Sequence, residues 1–113
     1  MKMYGIPNCD TVRKARKFLE SHDINYEFHD FKKQGLDIGT IQTWLNKQPL
    51  ETLVNKKSTS WKQLSDEQKA ALTSGSDLSV LTEIPTLVKR PVLEINESLL
   101  IGFSQAEYEE HLN

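Results

Sequence analysis

Along the first third of the chain the apolar residues change their spacing twice, and each change marks an element. Met3, Tyr4 and Ile6 crowd into a short apolar run that Gly5 and Pro7 bring to an end, as in a strand closed by a turn. Val12, Ala15, Phe18 and Leu19 then recur at helical spacing over residues 10–22, with Asp23 at the close. From Ile24 to His29 the pattern becomes strict alternation, the mark of a strand with one buried face. Strand, helix and strand within about thirty residues make a βαβ unit, whose strands should run parallel through a right-handed crossover.

Helical patterning dominates the middle of the chain, residues 35–88. Asp37 can cap a helix carrying Ile38, Ile41 and Leu45, which Pro49 stops, and a short apolar segment runs from Leu50 to Val54. Lys56 to Ser60 reads as an exposed loop. Ser65 and Gln68 have capping-box spacing ahead of Ala70 to Leu72, and Asp77 to Leu81 suggests another short helix before Pro85. Strand patterning returns after Pro91, where Val92–Ile95 and Ser98–Ile101 flank a turn at Asn96 and Glu97 and predict an antiparallel hairpin. Ser104 and Glu107 form a second capping box, opening a last helix through Tyr108 and Leu112. This order predicts an α/β fold: a mixed four-stranded sheet flanked by helices, with a helical insertion between the βαβ unit and the C-terminal ββα unit.

Length and composition narrow the class. At 113 residues, 37% hydrophobic and 27% charged, the chain suits one domain with one modest core. No apolar run approaches the ~20 residues that span a bilayer, and no signal-like stretch opens the sequence, so a soluble, cytoplasmic protein without membrane contact is expected. Net charge is −2, but residues 1–57 carry ten basic against seven acidic residues, and residues 58–113 four against nine. Arg13, Lys14, Arg16 and Lys17 cluster on the first helix, a solvated face that can also attract an anion. With pI ≈ 5.9 there is no broad basic surface, and direct nucleic-acid binding is not expected.

Cys9 is the one cysteine, placed at the turn between the first strand and the first helix. A thiol there meets the positive end of the helix dipole and its unpaired N–H groups, which favour the thiolate and make Cys9 the candidate nucleophile. Asn8 can cap backbone donors, and Arg13, four residues on, can stabilise the thiolate or hold an anionic substrate, whereas the Asp10 carboxylate opposes ionisation. A buried, inert cysteine is the alternative reading. With Val12 where a Cys-x-x-Cys motif needs its second cysteine, no dithiol centre forms within the chain. Ala15 stands where a Cys-x5-Arg phosphatase loop needs arginine. His22, His29 and His111 lack metal-ligand spacing, so no metal is expected, and Trp44 and Trp61 read as packing residues.

The run from Tyr4 through Cys9 and Arg13 to Ala15, with Lys89-Arg90-Pro91-Val92 far downstream, resembles the arsenate reductase (ArsC) family, most of all its YffB-type branch beside Spx. Gly35 to Asp37, Thr59 to Trp61 and Leu100 to Phe103 extend the resemblance over essentially the whole chain. It implies a single thioredoxin-like domain, with residues 1–34 and 88–113 as core and 35–87 as helical insertion. It also implies Cys9 as nucleophile, Arg13 as its cationic neighbour, Arg90 as an anion-contacting arginine, and Pro91 as the cis-proline facing the nucleophile; Asn8, in the same turn as Cys9, is a further candidate substrate-binding residue. The activity implied is that of a glutathione-dependent thiol reductase with glutathione as co-substrate, no bound cofactor, and glutaredoxin as a further partner. The family alternatives are an Spx-like regulator binding RNA polymerase, and an arsenate reductase. Asn55 and Gly102 stand where arsenate reductases carry two further oxyanion-binding arginines, so the resemblance implies an incomplete arsenate cradle.

Overall fold

The computed structural model describes residues 1–112. They divide into two compact units, one built from Met1–Gln34 and the chain from Arg90 onward, the other from Gly35–Lys89. In the first unit β1 (Lys2–Gly5), β2 (Glu27–Asp30), β3 (Val92–Ile95) and β4 (Ser98–Ile101) form one sheet in the order β2-β1-β3-β4. β1 and β2 are parallel, joined through helix α1 (Asp10–Ser21), whereas β3 is antiparallel to both β1 and β4. The mixed four-stranded sheet flanked by helices is the one the patterning predicts.

Registers show why the strand patterns work. Met3 lies opposite Leu93, and Leu93 opposite Leu100, so three apolar side chains sit at one level of the sheet. Val12, Ala15, Phe18 and Leu19 of α1 and Tyr108 of α8 (Gln105–Leu112) bury against that level together with Ile95. Gly5 allows the approach: a Cβ there would come within 2.9 Å of Val12 Cγ2. Strand β2 begins three residues later than the alternation suggests. Asp23 takes a left-handed φ of 55°, and the Ile24 N–H donates back to Leu19 O at 3.0 Å, so residues from Ile24 onward finish the helix before Glu27 N–H reaches Met1 O. A one-turn helix α2 (Phe31–Gln34), not anticipated, follows β2.

The second unit contains α3 (Ile38–Leu45), α4 (Leu50–Leu53), α5 (Thr59–Lys62), α6 (Asp66–Ser74), α7 (Ser79–Glu83) and a 3-10 turn at Pro85–Leu87. Asp37 caps α3 by accepting from the Thr40 N–H at 2.8 Å. At α6, Ser65 and Gln68 satisfy each other's backbone N–H groups in a complete capping box, and Gly75 ends the helix at φ 77°. Two local readings change. The expected loop at Lys56–Ser60 is half helical, because the Ser58 hydroxyl accepts the Trp61 N–H and starts α5. Asp77 takes the Ser79 N–H at 3.0 Å, so α7 starts two residues later than its first acidic residue suggested. Trp44 is 1% exposed, as a packing residue should be, whereas Trp61 is half-buried beneath the ammonium groups of Lys56 and Lys69. Among the described residues no helix is long and apolar enough to cross a membrane.

Candidate active site

Cys9 is the N-cap residue of α1, with extended backbone angles of −87° and 129°. Its N–H donates to Ile6 O at 3.2 Å, closing the Pro7-Asn8 turn, and its carbonyl accepts the Arg13 N–H at 2.9 Å, the first bond of the helix. The side chain is half-buried and free of disulfide, and it rests against the apolar cluster beneath α1. The thiol makes no capping hydrogen bond, so the first amides of α1 keep their positive ends available to an anion at the sulfur.

Several neighbours act on that sulfur. Burial pushes the Cys9 thiol up; against it work the Val12 N–H, the Arg90 guanidinium through hydrogen bonding and charge, and the Thr11 N–H. The downward influences prevail, and Cys9 ionises below its ordinary value. One cation and a helix terminus therefore favour ionisation of Cys9.

The cation is Arg90, and this corrects the reading from helix spacing. Arg13 instead donates to Asp10 Oδ1 at 2.9 Å in an exposed pair. That pair occupies the guanidinium expected at the thiolate and offsets the one carboxylate that opposed ionisation. Asn8 also departs from expectation. Its side chain is exposed and takes no hydrogen bond among the described residues, since Cys9 itself holds the cap position. Arg90 is half-buried, Pro91 is buried, and the bond between them is cis. The Gly102 N–H donates to Pro91 O at 2.8 Å, tying the end of β4 to the segment that supplies Arg90. Gly102 does so at φ 77°, a conformation that suits glycine.

The unpaired N–H groups expected at the start of α1 are those of Thr11 and Val12, and the position of Cys9 one residue before the helix was the signal for them. His29 stacks on Tyr4 at a centroid distance of 4.9 Å, and His22 holds the Phe18 carbonyl through Nδ1 at 2.8 Å. No cluster of three metal-ligating side chains occurs among the described residues.

A mixed sheet of this order, with a lone cysteine capping the first helix and a cis-proline preceding the third strand, defines a thioredoxin-like protein with a monothiol site. The chain belongs to the ArsC family, whose model matches residues 4–111. A protein of Haemophilus influenzae is 43% identical over 107 residues, covering 95% of this chain and 94% of that one. The solved structure of a YFFB protein superposes with a TM-score of 0.93 at 35% identity, covering 99% of this chain and 98% of the other. The global transcriptional regulator Spx of Lactiplantibacillus plantarum is 28% identical, over 93% of this chain and 80% of its own length.

Proposed function

We propose that this protein is a glutathione-dependent thiol reductase working through the single nucleophile Cys9. The observation that carries the reading is a thiol at the N-cap of α1 whose ionisation is favoured by the Val12 and Thr11 amides and by Arg90. Its thiolate attacks the glutathione sulfur of a mixed disulfide, forming a Cys9–glutathione bond and expelling the substrate's thiolate, which takes up a proton. With no second cysteine in the chain, a second glutathione thiolate attacks that same glutathione sulfur, releasing Cys9 as thiolate and leaving oxidised glutathione. One free glutathione thiol is thus oxidised for each substrate thiol released, the disulfide bond passing from the substrate to oxidised glutathione, and no resident cofactor is required; glutaredoxin is the protein alternative as resolving thiol. In this reading Arg90, which acts on the Cys9 sulfur, holds the anionic sulfur or a carboxylate of glutathione, and Pro91, Asn8 and Arg13 are the further candidates for binding it.

Intact-mass analysis after exposure to oxidised glutathione tests the first half. One glutathionyl adduct is expected on the native protein and none on Cys9→Ser. Absence of an adduct on the native chain overturns the proposal. A second reading draws on the similarity to Spx: a regulator that binds RNA polymerase without turnover. Co-purification of the core polymerase with this protein, unchanged by Cys9→Ser and without catalytic turnover of mixed disulfides, would favour it.

A further inference from the structure

Along the flank of α1, that helix and the segment after β4 enclose a shallow open groove of about 450 Å³, lined by Lys14, Lys17, Phe18, Ser21, Phe103 and Gln105. Its floor is aromatic: the Phe18 and Phe103 rings lie 5.8 Å apart, and Phe103 stands edge-on to Tyr108 at 4.8 Å. Its rim is cationic. Neither Lys14 nor Lys17 forms an ion pair among the described residues, whereas Arg13 on the same helix is matched to Asp10. Two ammonium groups without a carboxylate, set beside the half-buried Phe103 ring, complement an acidic chain that also carries an apolar side chain.

The groove lies on the same helix that Cys9 opens. Lys14 follows Cys9 by five residues, about 7.5 Å along a helix axis. Phe103 follows Gly102, whose N–H holds the Pro91 carbonyl next to Arg90. A polypeptide joined through sulfur to Cys9's reaction partner can therefore run from the thiolate along the flank of α1.

We propose that this groove docks the polypeptide part of the substrate, selecting protein mixed disulfides whose cysteine lies beside glutamates or aspartates and a large apolar residue. The inference rests on the reductase reading and specifies its substrate class. The probe is a short glutathionylated peptide bearing three glutamates and a leucine around its cysteine, compared with the same peptide carrying lysines for glutamates. In Lys14→Glu/Lys17→Glu, kcat/KM for the acidic peptide should fall about tenfold through KM, with a loss that shrinks at high salt, while the small mixed disulfide of glutathione and mercaptoethanol reacts as before. Equal turnover of the two peptides by the native protein, or an acidic-peptide kcat/KM untouched by the double substitution, overturns the groove. Binding separates this from the chemistry: the fluorescein-labelled acidic peptide should bind Cys9→Ser protein and lose affinity about tenfold when Lys14 and Lys17 are also reversed. If that binding holds while no mixed disulfide is turned over, the reductase reading falls and the acidic-peptide groove stands. If turnover holds but the two lysines leave binding unchanged, the groove falls alone.

Discussion

Arg13 and Arg90 carry the same charge in the same unit yet meet opposite partners, Asp10 in one case and the Cys9 sulfur in the other. The consequence is measurable. Because Cys9 ionises below the ordinary thiol range, its alkylation by iodoacetamide should rise with pH to a midpoint below the ~8.5 of a free cysteine. Arg90→Ala should move that midpoint upward, and Arg13→Ala should move it less; a larger effect from Arg13 would reverse the assignment. Tyr108 offers a second test at this scale. Its ring is fully buried in the core, its hydroxyl has no hydrogen-bond partner among the described residues, and burial followed by the Glu107 charge raises its pKa. A raised folded-state value contributes stability that is complete below the unfolded value of ~10 and is lost as pH climbs beyond it. Tyr108→Phe should therefore leave neutral stability unchanged or higher and shift alkaline unfolding to higher pH, as read by denaturant midpoints across that range.

Among the elements, α1 and β1 show how tightly the site's scaffold is set. A methyl at Gly5 meets the fully buried Val12 side chain at 2.9 Å. Gly5→Ala should cost about 1–3 kcal/mol by overpacking, and the penalty should shrink in a Val12→Ala background, which a double-mutant cycle in urea would reveal. The same contact explains which element readings succeeded. Val12, Ala15, Phe18 and Leu19 announced α1 because one face must bury, and Val92–Ile95 with Ser98–Ile101 announced the hairpin because their register puts Leu93 and Leu100 together. What stayed illegible turned on single local hydrogen bonds. Ile24 N–H to Leu19 O delays β2, Ser58 Oγ starts α5, and Asp77 postpones α7; in each case a local donor or acceptor outcompetes the regular pattern.

For the molecule as a whole, the sheet order and Cys9 itself followed from pattern and position. The identity of the thiolate's cation did not, since Arg90 lies 81 residues beyond Cys9 in the sequence and only the pairing of β1 with β3 brings its segment near. Resemblance to a family marked Arg90 and Pro91 where periodicity was silent. The family likeness also sets an expectation about chemistry. Asn55 adds no charge for an oxyanion, and Gly102 at φ 77° occupies a backbone conformation that arginine adopts only under strain. Arsenate reduction with glutathione and glutaredoxin supplied should therefore be at least tenfold less efficient, in kcat/KM, than reduction of a glutathionylated peptide. Arsenate turnover of equal efficiency, abolished in Cys9→Ser, would contradict this ordering.

The helix amides and guanidinium around Cys9 govern how its bonds break as well as how they form. A sulfur welcomed as an anion is a good leaving group, so any disulfide made at Cys9 yields readily to the next thiol that arrives. Among abundant thiols the proposed adduct should be short-lived, which suits this cysteine to passing sulfur partners onward instead of storing them.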